Sequence, residues 1–421
     1  MSMTSLGAFD AAAILIVLAA TLGYLNHRVL RLPSSVGLTL MGAVASLLVI
    51  LIDRLGGSML APQLNAFLNG IDFHETLMDG MLSFLLFAGA LHVDWTEMRR
   101  GRWPILVLST VGVLLSTAIV GYGFQWLLGL FGIALPILWC LVFGALISPT
   151  DPVAVMAVLK RAAVPPTLQA TVAGESLFND GVGVVVFVIL LGAASSGEAL
   201  SLAEAGRHFL QEAGGGVLLG LGIGWLAFRA MRSIDEYNVE VMISLAVVMG
   251  GYSLAHVVHV SGPVAMAVAG LLIGNAGVVQ AMSDVTRDYL IKFWALIDEI
   301  LNAVLFLLIG LEVIAIAQEP RLLLIGLAAV PLVLAARILA VGAPLVAMRP
   351  LLSLGPLAMP VLVWGGLRGG ISIALALSLP EGAIRTTILA TTYVVVLFAV
   401  IVQGASISGL IAHLNRPATP G

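Results

Sequence analysis

The sequence has very little charge. Only 10% of its 421 residues are Asp, Glu, Lys or Arg, whereas soluble domains carry about 25%. A chain with so few charged side chains cannot cover a water-exposed surface, which excludes soluble globular folds, disordered tails and nucleic-acid-binding proteins. The composition is 60% hydrophobic and predicts an all-α protein that crosses a membrane many times.

Cysteine and metal-ligand patterns are also scarce. The single cysteine, Cys140, has no partner for an internal disulfide. The seven histidines include no His-Glu-x-x-His pair, which argues against a zinc enzyme. Residues 1–10 carry no Lys or Arg, so we expect the first apolar run to be a span and not a cleaved signal. We expect no enzymatic activity and no cofactor.

Long apolar runs dominate the chain. About 20 apolar residues are the minimum that crosses the hydrocarbon layer of a bilayer, and by that measure we predict about 13 helices. Their approximate limits are 9–27, 34–53, 74–93, 103–130, 135–159, 165–195, 207–230, 237–258, 262–279, 288–317, 320–348, 354–379 and 384–413. Only 54–73 and 196–206 form longer loops, and neither has room for a soluble regulatory domain.

The distribution of basic residues predicts the orientation of these spans. Alternate loops on one side carry 13 of the 19 Lys and Arg residues, and the opposite loops carry 4. The richer set is Arg28, Arg31, Arg99, Arg100, Arg102, Lys160, Arg161, Arg229, Arg232, Arg287, Lys292, Arg349 and Arg416. Because cytoplasmic loops are enriched in Lys and Arg, we expect the N-terminus outside and the C-terminus in the cytoplasm.

Two of the predicted spans are interrupted. The fifth contains Pro149 and Pro152, which remove two backbone donors and clash with the preceding turn. The twelfth contains the run Gly365 to Gly370, with four glycines and Arg368. Non-helical backbone at membrane depth is tolerated where it lines a cavity or is buried in protein. Both interruptions therefore mark a candidate functional site.

The interruptions lie seven spans apart, so they run antiparallel across the membrane. If 1–195 and 237–413 are repeats joined by a linker helix at 207–230, each break falls on the fifth helix of its repeat. Inverted six-helix repeats with two crossed, interrupted helices are the architecture of secondary transporters, whose ions bind at the midplane. The chain is then a single membrane transport domain.

Five ionisable residues lie deep in predicted spans, and each costs several kcal/mol unless it is paired or hydrated. They are Asp151, Glu175, Asp180, Arg337 and Arg368. With three acids and two bases, one carboxylate is left without a protein cation. That carboxylate must bind a proton or a metal cation to be neutral, which is the basis of an exchanger.

Span six holds the densest polar group. Ser176 and Asn179 neighbour Glu175 and Asp180 at helical spacing, and they supply oxygens without added charge, which suits Na⁺. Interhelical hydrogen bonding is the alternative role of both. Glu175 and Asp180 are five residues apart and offset by about 140°, so one carboxylate can be held in an ion pair while the other faces the cavity.

Four stretches together resemble the monovalent cation/proton antiporters, in the branch of electroneutral sodium/proton exchangers. They are SPTDPVAV from Ser148, GESLFNDG from Gly174, FWALIDEILNAVLFLLIGLE from Phe293 and WGGLRGGIS from Trp364. The resemblance implies exchange of one Na⁺, or Li⁺ or K⁺, for one H⁺ by alternating access. It also implies a homodimer in the inner membrane. Asn179 before Asp180 is the arrangement of electroneutral members.

The resemblance also implies residue roles. Asp180 would alternately bind cation and proton, with Asp151, the Thr150 backbone and Ser176 as further cation ligands. We include Asn179 in this cation- and proton-binding group. Glu175 would be the structural acid, paired with Arg368 and with Arg337.

Other functions remain open at this stage. A K⁺/H⁺ antiporter of the same family would use the same ligands. A cation channel needs a continuous pore, and an intramembrane aspartyl protease lacks its Gly-x-Gly-Asp signature here. A carrier of anions would require Arg368 to be free of Glu175. Monovalent cations, protons and membrane lipid are the expected partners.

Overall fold

The computed structural model describes residues 8–56, 81–161, 164–197, 202–277, 282–312, 320–348, 355 and 357–414. Nearly all of the predicted loop 54–73 and the start of the predicted span 74–93 lie outside these residues. The described chain is helical throughout, apart from connections and one isolated β-bridge. The prediction of an all-α membrane protein is confirmed.

The first half of the chain contains eight helices in the described residues. They are α1 (Ala8–Leu25), α2 (Ser34–Gly56), α3 (Leu82–Leu91), α4 (Trp95–Arg100), α5 (Arg102–Leu130), α6 (Ile137–Leu146), α7 (Val153–Arg161) and α8 (Pro166–Ser196). A single π-helical turn at Leu108–Gly112 lies inside α5. Pro166 opens α8 at its first position, where a missing backbone N–H costs nothing.

The second half adds eight more helices. They are α9 (Ala203–Met231), α10 (Tyr237–Val257), α11 (Gly262–Leu272), α12 (Asp284–Leu311), α13 (Pro320–Ala347), α14 (Ala358–Trp364), α15 (Gly370–Leu377) and α16 (Ala383–Leu414). Nine of the described helical segments are long and apolar enough to cross a membrane. The remaining predicted spans correspond to the shorter α3 and α11 and to two interrupted pairs, α6 with α7 and α14 with α15.

The interruptions cross each other. The backbone between α6 and α7 and the backbone between α14 and α15 meet in an antiparallel bridge, where the Asp151 N–H donates to the Leu367 carbonyl at 2.8 Å. Both breaks fall where the prolines and glycines predict them. The crossed, interrupted helices are thus confirmed, while the division into repeats at 1–195 and 237–413 stays a prediction.

Helix α8 lies at the centre of this arrangement. In the most apolar 18-residue stretch of α8, 56% is buried inside the protein. The corresponding share for the span Asp10–Leu30 is 17%. Close approach of neighbouring helices rests on small residues, as in membrane proteins generally. A Cβ on Gly144 of α6 would lie 2.3 Å from the Thr117 carbonyl oxygen of α5. A tightly packed scaffold therefore holds the polar residues of α8 in place.

Candidate cation-binding site

Glu175 on α8 is held in a buried ion pair. Its two carboxylate oxygens accept hydrogen bonds from Nη1 and Nη2 of Arg337 at 2.8 and 3.0 Å. Asn179 Nδ2, one turn further along α8, donates to Oε1 of Glu175 at 2.9 Å. Both partners of the ion pair are almost fully buried. This paired charge matches the structural role predicted for Glu175.

Arg368 does not share this ion pair, contrary to the predicted Glu175–Arg368 contact. In the described structure its Nη1 donates to the backbone carbonyls of Ser148 and of Pro149, the latter at 3.1 Å. The physical reason lies in the prolines, which end α6 and leave its carbonyls without helical donors. A guanidinium has five N–H donors and satisfies such carbonyls directly.

Three carbonyls at the second break also have partners. Arg337 donates from Nε and Nη2 to the Leu362 carbonyl of α14, at 3.1 and 2.8 Å. Gln403 of α16 donates to the Trp364 carbonyl at 3.2 Å, and the Leu367 N–H donates to the Gly365 carbonyl at 2.8 Å. Side chains therefore replace the helical hydrogen bonds that the breaks remove, as non-helical backbone at membrane depth requires.

The Thr150 backbone joins the first break to α8. Ser176 donates from its hydroxyl to the Thr150 carbonyl. Asn179 accepts from the Thr150 N–H at 3.3 Å and donates to Thr150 Oγ1 at 2.7 Å. Both N–H donors of the Asn179 amide are thus used on Thr150 and Glu175, and Asn179 is not among the described residues that line the cavity. The structure gives Asn179 a linking position, and its role as a ligand stays a prediction.

The Asp180 carboxylate, unlike that of Glu175, is not held in an ion pair in the described structure. The side chain of Asp180 is 6% exposed, and its Oδ1 atom has no hydrogen-bond partner among the described residues. No Lys, Arg or His lies within ion-pair distance of it in the described part of the chain. Asp180 is therefore the carboxylate that the charge count predicts, buried and without a protein cation.

Asp151 approaches from the opposite break. A Cβ on Gly369 would lie 2.7 Å from the Asp151 Cβ and 2.8 Å from its Oδ2 atom. Only glycine permits the Asp151 carboxylate to pack this closely against the backbone at the start of α15. The crossing of the breaks thus brings Asp151 to the N-terminus of α15.

A cavity of about 1770 Å³ leads to these residues. Thr150, Asp151, Ser176 and Asp180 line its inner end. Its outer end is lined by basic residues of the richer loop set, namely Arg28, Arg31 and Lys160. The four residues predicted as cation ligands therefore meet in one water-accessible space, which opens on the side with more basic loops.

The cavity wall includes residues that the sequence did not assign to the site. Asp298, Glu299 and Asn302 of α12 line it, and Asn302 Nδ2 donates to Asp298 Oδ1 at 3.0 Å. Asn302 follows Asp298 by four residues and Glu299 by three, and this helical spacing of polar side chains in an apolar helix is the signal in the sequence. No three His, Cys, Asp or Glu side chains come together as a metal-binding group among the residues that the structure describes.

Comparison with known proteins identifies the family. The family model for the transmembrane sodium/hydrogen exchanger matches residues 15–413. The chain belongs to the sodium/hydrogen exchanger family. The resemblance found in the four sequence stretches is confirmed by this match, which covers almost the whole chain. The exchanger family is one of multi-pass transporters, in agreement with the many membrane-spanning helices of the fold.

Individual members of the exchanger family are similar over nearly their full length. The chain is 47% identical to the Na⁺/H⁺ antiporter NhaP of Pseudomonas aeruginosa, over 96% of this chain and 96% of that protein. It is 33% identical to the Na⁺/H⁺ antiporter NhaH of Halobacillus dabanensis, over 82% of this chain and 84% of that protein.

A solved structure of the exchanger family has the same fold. The sodium proton antiporter MjNhaP1 from Methanocaldococcus jannaschii, determined at pH 8, matches with a TM-score of 0.75. The match covers 96% of this chain and 99% of that one at 22% identity. At this identity the likeness supports the helical architecture and carries no assignment of individual residues.

Proposed function

We propose that this chain exchanges one Na⁺ for one H⁺ across the membrane by alternating access, with Asp180 binding either ion. The observation that carries the proposal is the unpartnered, buried carboxylate of Asp180 at the inner end of a cavity. Such a carboxylate costs several kcal/mol unless a proton or cation neutralises it. The names of NhaP and NhaH as Na⁺/H⁺ antiporters support Na⁺ as the cation.

The ligand chemistry of the cavity agrees with this role. Asp180, Asp151, Ser176 and Thr150 offer carboxylate, hydroxyl and carbonyl oxygens around one space, and hard cations prefer oxygen ligands. Thr150 Oγ1 and the Thr150 carbonyl already accept hydrogen bonds, but each oxygen has a second lone pair. A K⁺/H⁺ exchanger would use the same residues, so the cation preference is a matter for measurement.

Coupling follows from the cost of moving a bare charge. With a proton or a monovalent cation bound, Asp180 is neutral and can pass the apolar barrier between the two sides. An empty site would carry its charge into the low-dielectric barrier, which is strongly unfavourable. Only loaded states therefore cross, and each cycle exchanges one cation for one proton without net charge movement.

The orientation and assembly of the protein form part of the proposal. The cavity opens beside Arg28, Arg31 and Lys160, which the distribution of basic residues assigns to the cytoplasm. On this basis we propose that the N-terminus is outside and that the cavity faces the cytoplasm in an inward-open state. We propose a homodimer in the inner membrane that serves pH homeostasis, with residues 1–195 and 237–413 as inverted repeats.

Two other functions fit these contacts less well. A channel needs a continuous pore, yet the described residues of α8 that line the cavity extend only from Pro166 to Asp180, about half the length of that helix. An anion carrier would use its buried arginines, but Arg337 and Arg368 bind Glu175 and backbone carbonyls. Neither arginine is among the described residues of the cavity wall.

The test is dissipation of a pH gradient in proteoliposomes after addition of Na⁺, then of K⁺. We expect Na⁺ to collapse the gradient at the same rate with and without a clamped membrane potential. Acidification on the cation side should raise the Na⁺ concentration for half-maximal rate, because protons compete for Asp180. A rate that follows the potential would contradict one-for-one exchange, and a response to K⁺ alone would contradict Na⁺ transport.

A further inference from the structure

Ser372 on α15 is a buried hydroxyl that the proposed mechanism does not use. Its side chain is fully buried, and its Oγ atom has no hydrogen-bond partner among the described residues. Nearby hydroxyls instead bond to carbonyls of their own helices, as Ser378 does to Leu375 at 2.8 Å and Thr391 to Thr387 at 2.8 Å. Ser372 also belongs to the wall of the cavity that contains Asp180, so its hydroxyl is available to a ligand there.

The position of Ser372 on α15 directs it toward the site. Gly369 precedes α15 as its cap residue, which makes Ser372 the third helical residue. Side chains of a helix tilt toward its N-terminus, and the third residue can reach back to the cap. The Asp151 carboxylate packs against Gly369 at this same end. Ser372 and Asp151 therefore share the N-terminal end of α15.

The hydrogen-bonding capacity of Ser372 differs from that of the other hydroxyls at the site. Ser176 uses its proton on the Thr150 carbonyl, and Thr150 Oγ1 accepts from Asn179. Ser372 keeps one donor and two acceptor lone pairs. Its O–H can donate to a carboxylate when no cation is bound and can rotate to offer a lone pair when a cation enters.

We propose that Ser372 is a further oxygen ligand of the transported cation, contributed by α15. The site then draws ligands from α8 and from both broken helices, with Thr150 and Asp151 from the first and Ser372 from the second. This inference rests on the proposed exchange of Na⁺ at Asp180. It assigns to Ser372 a role in cation affinity and selectivity.

The test compares Ser372→Ala with Ser378→Ala, the residue that directly follows α15. In proteoliposomes, Ser372→Ala should raise the KM for Na⁺ about three- to tenfold, the range expected for loss of one such interaction. It should alter the ratio of Na⁺ to Li⁺ rates while retaining most of the maximal rate. Ser378→Ala removes a hydroxyl that binds its own helix and should leave the KM and the ratio unchanged.

Binding is measured separately from transport. Na⁺ that binds only the folded protein raises its Tm, so Ser372→Ala should need a correspondingly higher Na⁺ concentration for the same rise. If Ser372→Ala fails to fold, two other variants replace it: Ser372→Thr, which keeps the hydroxyl, and Ser372→Cys, which removes it. We expect the Tm of Ser372→Thr to depend on Na⁺ concentration almost as in the unmodified protein. The Tm of Ser372→Cys should require more Na⁺ for the same rise.

Two results would overturn the role of Ser372. The first is a Ser372→Ala variant whose KM for Na⁺, and whose Na⁺ concentration for the same rise in Tm, stay within twofold of those of the unmodified protein. The second is an equal loss of Na⁺ affinity in Ser372→Thr and Ser372→Cys, which would indicate that Ser372 acts through packing. Failure of the proposed function gives a different pattern. An unmodified protein that shows a Na⁺-dependent Tm but no proton exchange would refute antiport, while the Tm series would still decide whether Ser372 binds the cation.

Discussion

Glu175 and Asp180 are two buried carboxylates five residues apart on α8, and their surroundings are opposite. Glu175 accepts two hydrogen bonds from Arg337 and one from Asn179. Asp180 lines the cavity, and its Oδ1 has no protein partner in the described structure. The comparison indicates that the partner of a buried acid, and not its burial, separates a structural carboxylate from one that exchanges ions.

The difference has an energetic basis. A buried charge needs compensation, and at Glu175 this compensation is covalently part of the chain and permanently present. In the proposed mechanism, the compensation at Asp180 comes from a proton or cation in solution, which leaves again in each transport cycle. Substitution of the two acids should consequently affect different properties, namely stability at Glu175 and transport at Asp180.

The largest expected effect on transport is that of Asp180→Asn. An amide cannot take up a proton or balance a cation, so exchange should fall to the background of empty liposomes. Because no protein cation loses its partner, the yield of folded protein and the Tm should stay close to those of the unmodified protein. Wild-type exchange in this variant would refute the assignment of Asp180.

The largest expected effect on stability is that of Glu175→Gln. It leaves the Arg337 guanidinium buried without a counter-charge, and breaking a buried pair in this way costs about 3–5 kcal/mol. Tm and folded yield in detergent measure the loss. The matched control is Asp288→Asn, which breaks an exposed pair with Lys292 and should cost less than about 1 kcal/mol. Equal effects of the two substitutions would contradict the structural role of Glu175.

Asn179→Ala should have an intermediate effect. It removes the amide that links Thr150 to Glu175, and unsatisfied buried groups cost about 1–3 kcal/mol. If Asn179 is a link and not a ligand, the Tm falls while the ratio of Na⁺ to Li⁺ rates is unchanged. A changed ratio with an unchanged Tm would restore the ligand role that the sequence predicted.

The smallest expected effect is that of Gly369→Ala. The added Cβ would lie 2.7 Å from the Asp151 Cβ and 2.8 Å from its Oδ2 atom, so the whole Asp151 side chain must shift. We expect the KM for Na⁺ to rise about three- to tenfold, with a modest fall in Tm from the overpacking. Gly192→Ala on α8, where a Cβ meets nothing within 4 Å, is the control and should have a normal KM. An unchanged KM in Gly369→Ala would argue against Asp151 as a ligand.

The sequence predicts the breaks and the acids well because their signals are local. Two prolines three residues apart and a run of glycines interrupt a helix whatever surrounds them. The five-residue spacing of Glu175 and Asp180 likewise determines that their side chains point in different directions from the helix. These features need no knowledge of the neighbouring helices.

The sequence does not determine which arginine binds which acceptor. Arg337 and Arg368 are equally deep in predicted spans, and their choice between Glu175 and the Ser148 carbonyl depends on how the two breaks cross. The inward position of Ser372 has the same origin, because it depends on where α15 restarts after Gly369. The linking position of Asn179 could not be predicted either, because the sequence does not show which groups of the neighbouring helices its amide contacts.

The contact between Arg368 and the first break has a consequence for how many ions the protein can hold. Backbone carbonyls at the end of a broken helix can bind a cation from solution, and those of Ser148 and Pro149 lie close to Asp151 in the chain. In this protein the guanidinium of Arg368 already donates hydrogen bonds to both of them. Because a fixed positive charge occupies these carbonyls, we expect that a second cation does not bind there and that each transport cycle carries one cation.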